Sequence, residues 1–185
     1  MEISDLSDKI KRIEDEIEKA TKCTRIKDKS IFAMYAGIIV EMIIRCIFRG
    51  TKEFDDLPEN EMMFKMKHSG QLLGDLHDKG YIQTEVYMMM NTIMIYRKYA
   101  ERNSILKNDY YDVCMPMFVR ILMWFYTEYL SMDDKFMQLI RKMSNKDTEN
   151  LIIGELSKYK ASEAANIHHI AEIAIRMNTK LINVS

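Results

Sequence analysis

Two prolines, six glycines, three cysteines and one tryptophan in 185 residues leave the chain short of the residues that punctuate structure. Hairpin dipeptides such as Asn-Gly are absent, so the sequence reads as nearly all helix. Cys23, Cys46 and Cys114 are odd in number and far apart. They exclude a CxxC metal pair and a disulfide framework, and they suit a reduced, cytoplasmic setting. The 27 basic and 28 acidic residues leave a formal net charge of −1, so no global positive field advertises nucleic acid. GxxxxGK[ST], GxGxxG, GxSxG and HExxH are missing, which removes the common nucleotide, hydrolase and metalloprotease readings. His168 and His169 point about 100° apart on a helix, and His68 and His77 are nine positions apart, so neither pair chelates. No metal site and no cofactor is expected.

What is present favours a real core with a soluble surface: 48% hydrophobic, 10% aromatic and 30% charged residues. The length suits one domain with appendages. "SIFAMYAGIIVEMIIRCIF", residues 30–48, is long enough to cross a bilayer. Glu41 and Arg45 near its middle are costly there. Spaced i,i+4 they pair on one helix face, so a buried core helix is expected and no membrane partner. The charged N-terminus lacks the apolar run of a signal peptide.

The first segment carries Ile3, Leu6, Ile10, Ile13, Ile17 and Ala20 in alternating steps of three and four. That is a heptad seam with charges elsewhere. It must lie on something, either its own domain or a symmetry mate in a homodimer, with Leu6, Ile10, Ile13 and Ile17 as the pairing residues. Helices follow over 29–49, stopping at Gly50, and over 60–79, ending at Gly80. Another starts near Thr84, with "SILKNDYY" as the loop after it. The next holds Trp124 in its apolar middle and Pro116 in its first turn or so, where a missing N–H costs little. Beyond "SMDD" a short and a long amphipathic helix are predicted. The 17 methionines read as core filling.

From about residue 29 to 130 the landmarks resemble a helical domain found at the N-terminus of type I restriction endonuclease subunits and as a stand-alone bacterial domain. The residues that carry the likeness are Phe32 to Phe48 around Glu41, "LLGDLHDKGYI" and "VRILMWFYTEYL", with Trp124, Phe125 and Tyr129. That domain in turn resembles the wider HEPN superfamily of small helical bundles. Its active members are metal-independent, generally dimeric ribonucleases with an Arg-x(4–6)-His motif. Such chemistry needs a fixed cation at the scissile phosphate and a group that exchanges protons near neutral pH.

In "ERNSILKND" Arg102 and Asn103 match the motif, but Lys107 stands at the histidine position. A solvated lysine titrates near 10.4 and is a poor proton shuttle. Arg102, Asn103 and Lys107 are thus the catalytic candidates, with a lysine where the family's chemistry uses a histidine. Arg97, Lys98, Arg102 and Lys107 are candidates for holding RNA phosphates, with Tyr96, Tyr99, Tyr110 and Tyr111 able to stack bases. Glu41 and Arg45 form a supporting polar pair, functional or simply structural. The expected architecture is all-α: an N-terminal heptad helix at 1–28, a HEPN-like bundle at 29–131, and C-terminal helices at 132–185 packed on the bundle or on a partner. The expected function is a non-catalytic interaction module in bacterial or phage conflict, acting as a homodimer or with a partner protein. A divergent ribonuclease or RNA-binding protein using Arg102 is the alternative.

Overall fold

The apolar run at residues 29–49 forms the middle of the structure. The computed structural model describes residues 3–25, 29–51, 54, 57–102, 109–143, 154 and 157, and its regular elements are all helices. They are α1 (Ile3–Arg25), α2 (Lys29–Gly50), α3 (Glu59–Lys67), α4 (Ser69–Asp78), α5 (Thr84–Glu101), α6 (Asp109–Met123) and α7 (Asp133–Met143). A π-helical turn, Trp124–Tyr129, continues α6. The chain divides into two compact units, Met1–Ser144 and Asn145–Ser185. All seven α-helices belong to the first, so α1 and α7 are part of one unit with the bundle. Of the second unit only residues 154 and 157 are described, and the long amphipathic helix expected there lies outside the described residues.

Helix α2 packs most extensively on α5 and α1, and also on α6 and α4. Ile39, Val40, Ile43, Ile44 and Ile47 are fully buried, as a helix apolar nearly all round requires. By length and composition residues 31–50 are apolar enough to cross a membrane, and 61% of the most apolar window is buried inside the protein. Glu41 and Arg45 fall on the half-open side. Edge-to-face rings tie α2 to α6: Phe32 stands 5.1 Å from Tyr111 and 5.6 Å from Phe118.

The heptad stripe of α1 lies within this unit, where α1 packs on α2 and α7. Ile10, Ile13, Ile17 and Ala20 are at most 2% exposed. Of the two neighbours expected for the seam, its own domain or a symmetry mate, it takes the first, and these three isoleucines are occupied inside one chain. Leu6 belongs to α1 by its backbone, and its side chain lies outside the described residues. Lys135 on α7 closes the α1 contact with an ion pair to Glu14 at 2.8 Å.

Two predicted helices differ in detail. The single helix expected over 60–79 breaks at His68, whose backbone (φ −110°, ψ 62°) separates α3 from α4. The His68 ring contacts the Phe64 carbonyl at 2.9 Å through Nδ1, serving a backbone oxygen freed by the break. Ser69 and Gly70 hold the helix weakly on the far side. At the end of α4, Gly80 takes φ 78°, and Tyr81 N–H donates to the Leu76 carbonyl at 2.9 Å. This is a left-handed closure that glycine allows. Pro116, expected in a first turn, lies inside α6. The helix begins earlier, at Asp109, and buries Tyr111 against Phe32.

In the π-helical turn Leu130 N–H reaches back five residues to the Phe125 carbonyl at 3.0 Å. The turn stops before Ser131, which sits at φ 55°. Trp124, Phe125 and Tyr126 are all buried. Among the described residues the Tyr126 hydroxyl has no hydrogen-bond partner, and burial, then the Glu14 carboxylate, push its pKa well up. Burial likewise raises the Cys114 thiol from near 9.0 to about 12. Both folded groups hold their protons more tightly than the unfolded chain does. Their contribution is therefore fully present below pH 9, where the unfolded thiol is still protonated. It is lost at up to about 1.4 kcal/mol per pH unit and per group as the unfolded groups ionise, until the folded pKa is passed. Urea unfolding should show stability falling steadily above pH 9. Tyr126→Phe should raise stability by about 1 kcal/mol, since it removes an unsatisfied buried hydroxyl, and should make the alkaline fall shallower.

Candidate functional site

The residues singled out on α2 and α5 meet where the two helices approach most closely. A Cβ on Gly37 would lie 2.4, 2.6 and 2.9 Å from Cδ, Cβ and Cγ of Arg97. Only a residue without a Cβ lets the arginine stem cross α2 there. One turn further along α2, Glu41 Oε2 stands 2.9 Å from Arg97 Nη1. Its N–H vectors are poorly aligned, so the contact is an ion pair more than a hydrogen bond. On its own helix Arg97 Nε donates to Glu101 Oε1 at 2.6 Å. Arg45 is 3.7 Å from the same Glu41 oxygen.

Arg97 and Glu41 are only 22% and 25% exposed. Burial works against the arginine's charge, but the hydrogen bond to Glu101 and the contact with Glu41 outweigh it and raise the pKa. A partly buried cation between two carboxylates is electrostatically satisfied. Arg97 therefore acts as a clamp between α2 and α5, and a phosphate would have to displace two carboxylates to reach it.

Beyond the clamp, Lys98 and Arg102 are exposed, with Arg102 capping the end of α5. Asn103 and Lys107 lie outside the described residues, so Arg102 is the one catalytic candidate whose place is described. Of the proposed base-stacking tyrosines, Tyr99 is about half exposed, at 49%. Tyr96 is half-buried. Tyr111 is buried against Phe32, and the side chain of Tyr110 is outside the described residues.

Nor does a described histidine stand in for the one missing from the motif. His77 contacts the Thr84 hydroxyl at 3.1 Å and stacks on Tyr87 at 4.5 Å. Thr84 opens α5 and Arg102 closes it, about 27 Å apart at the rise of an α-helix. A proton cannot be exchanged directly over that distance. Among the described residues no group of three or more His, Cys, Asp or Glu side chains could hold a metal ion.

Two features of the surface were not read from the sequence. One is the clamp itself, whose signal is the row Ala33, Gly37, Glu41 at steps of four, small residues leading to a carboxylate. The other is α3, which carries Met62, Met63, Phe64 and Met66 and buries none of them. Met63 is 52% and Phe64 54% exposed. The helix is nine residues long with Met62, Met63 and Phe64 consecutive, so no periodicity distinguishes an outward face. No family model, curated protein or solved structure matches this chain.

Proposed function

We propose that the protein is a non-catalytic helical interaction module that associates with a second copy of itself through α3. The observation that carries this reading is a helix whose large apolar side chains all remain outside the core, since such clusters on a soluble surface mark contact sites. The charges of α3 favour a second copy as the occupant. Glu59 and Glu61 lie in its first turn and Lys65 and Lys67 in its last; Lys65 is held by Asp75 of α4 at 2.5 Å, so Lys67 is the cation that would face a partner. These charges already suit the helix dipole. In an antiparallel two-fold pair they also set the acidic end of each α3 beside the basic end of the other, around a shared centre of Met63 and Phe64.

The test is sedimentation equilibrium across a range of concentrations. The wild type should associate, and the Met63→Glu, Phe64→Glu double variant should be monomeric with unchanged helix content and unfolding midpoint extrapolated to low concentration. A wild type that stays monomeric throughout, or a double variant that pairs as well as the wild type, removes the reading. The resemblance to HEPN domains supports an all-α bundle of that kind and a place in bacterial or phage conflict. The apolar α2 around Glu41, the arginine at the end of α5 and the buried Trp124 agree with it.

A second reading, RNA binding or divergent metal-independent cleavage at Arg102, draws on the exposure of Lys98 and Arg102. It requires metal-free RNA cleavage, or salt-sensitive RNA binding, that Arg102→Ala abolishes.

A further inference from the structure

A groove of about 260 Å³ runs between α1 and α2 and reaches α3 at one end. It is lined by Lys9, Arg12, Ile13, Met42, Arg45, Arg49 and Met66. Two of the cations stand on each bank: Lys9 and Arg12 three apart on α1, Arg45 and Arg49 four apart on α2. Each pair therefore shares a helix face. Ile13 is buried beneath them. Among the described residues no carboxylate lines the groove, in a chain whose acids outnumber its bases 28 to 27. A second groove on α1, between it and α7, is mixed by contrast, holding Glu14, Asp15 and Glu18 together with Lys22 and Lys142.

The arginines are poorly compensated by the protein. Arg49 Nη2 donates to the Met66 thioether at 3.4 Å, a weak acceptor for a full positive charge. Arg45 has only the long 3.7 Å pairing to Glu41, whose same oxygen lies closer to Arg97 at 2.9 Å. The Arg45 Nε is buried with no hydrogen-bond partner among the described residues. Arg12 is exposed and has no carboxylate partner among the described residues. Like charges gathered this way repel one another, and an orphaned buried donor costs further. A ligand that supplies several anionic oxygens relieves both at once.

We infer that the α1–α2 groove binds a ligand carrying adjacent phosphates, with Arg12, Arg45 and Arg49 donating to the phosphate oxygens and Lys9 adding charge at the rim. Planar guanidinium forks match phosphate geometry, and three of the four cations are arginines. A cation on each bank suits two phosphates in succession better than one isolated anion. Such a pair occurs in the polyphosphate of a nucleotide and along a nucleic-acid strand. The groove involves neither Arg97 nor Arg102, and its occupancy does not depend on association through α3.

Binding is measured at low ionic strength by calorimetry and by arginine Nε–Hε resonances, with three probes: inorganic pyrophosphate, ATP and a single-stranded oligoribonucleotide. At least one should bind and shift the Arg45 Nε–Hε signal. Arg12→Ala with Arg49→Ala should weaken that binding at least about tenfold, as expected when two charge-assisted donors are lost. Arg102→Ala should leave it unchanged. A pyrophosphate or ATP response identifies the source as a small phosphorylated ligand. A response to the oligoribonucleotide alone identifies a strand backbone. If the double variant does not fold, Arg12→Glu alone, at an exposed position, should still abolish the Arg45 shift. The inference is overturned if no probe binds, or if binding is equal in the wild type and the folded groove variants.

Discussion

Ile13→Asp is expected to unfold the first unit outright, whatever the protein concentration. Ile13 is 1% exposed and sits on the α1 face that covers α2. The substitution removes a buried aliphatic side chain, which costs about 2–5 kcal/mol when truncated in a core. It also leaves a carboxylate with no cation in its place, at several kcal/mol more. Together these approach the whole stability of an ordinary domain, about 5–15 kcal/mol. Circular dichroism and urea unfolding at two protein concentrations check it. If the seam instead joined two chains, the variant would keep its helices and lose only association, and its stability would vary with concentration. Ile10→Asp should behave in the same way, because Ile10 is 2% exposed on the same stripe.

Gly37→Leu should be nearly as damaging, for a different reason. Any Cβ at residue 37 falls 2.6 Å from the Cβ of Arg97, which is fixed to the α5 backbone and cannot swing aside. The helices must separate, and with them the Glu41–Arg97 contact. Overpacking of this kind costs about 1–3 kcal/mol even for small insertions, and leucine adds three more carbons. Gly37→Ala is the informative control. Alanine gains about 1 kcal/mol of helix propensity over glycine, so a net loss of stability in that variant measures the clash directly. Arg97→Ala in the Gly37→Ala background should not restore stability, because alanine at residue 97 keeps the offending Cβ. A Gly37→Ala variant more stable than the wild type would mean that the α2–α5 approach is looser than described.

Much of this architecture was legible in the residues themselves. The scarcity of proline and glycine and the 3-4 spacing of Ile10, Ile13 and Ile17 announce helices, and a 22-residue α2 follows from an uninterrupted apolar run. The spacing does not say what the α1 stripe covers, because the same heptad serves an intramolecular and an intermolecular neighbour. The break at His68 is invisible to periodicity, since apolar residues continue on both sides of it. Pro116 reads as too near a helix start because a proline marks helix beginnings more often than interiors, and the packing of Tyr111 on Phe32 extends α6 backwards past it. At the candidate site, Arg97 reads as one of a basic cluster. Which of several nearby cations is neutralised depends on carboxylates brought in from another helix, here Glu41, and a linear pattern does not reveal that. The Lys9, Arg12, Arg45 and Arg49 groove is hidden for the same reason, being split between two helices, with the two pairs of cations more than thirty residues apart.

The order in which the chain is made gives the α1–α2 contact a further consequence. A ribosome releases α1 before α2, so the surface that shields the most apolar helix is already available when that helix emerges. Without it, residues 31–50, apolar enough by composition to enter a bilayer, would meet chaperones, lipid or other nascent chains before α5 and α6 exist. Deleting α1 should therefore shift newly made protein toward aggregates and membrane fractions during translation, well before its equilibrium stability is ever in question.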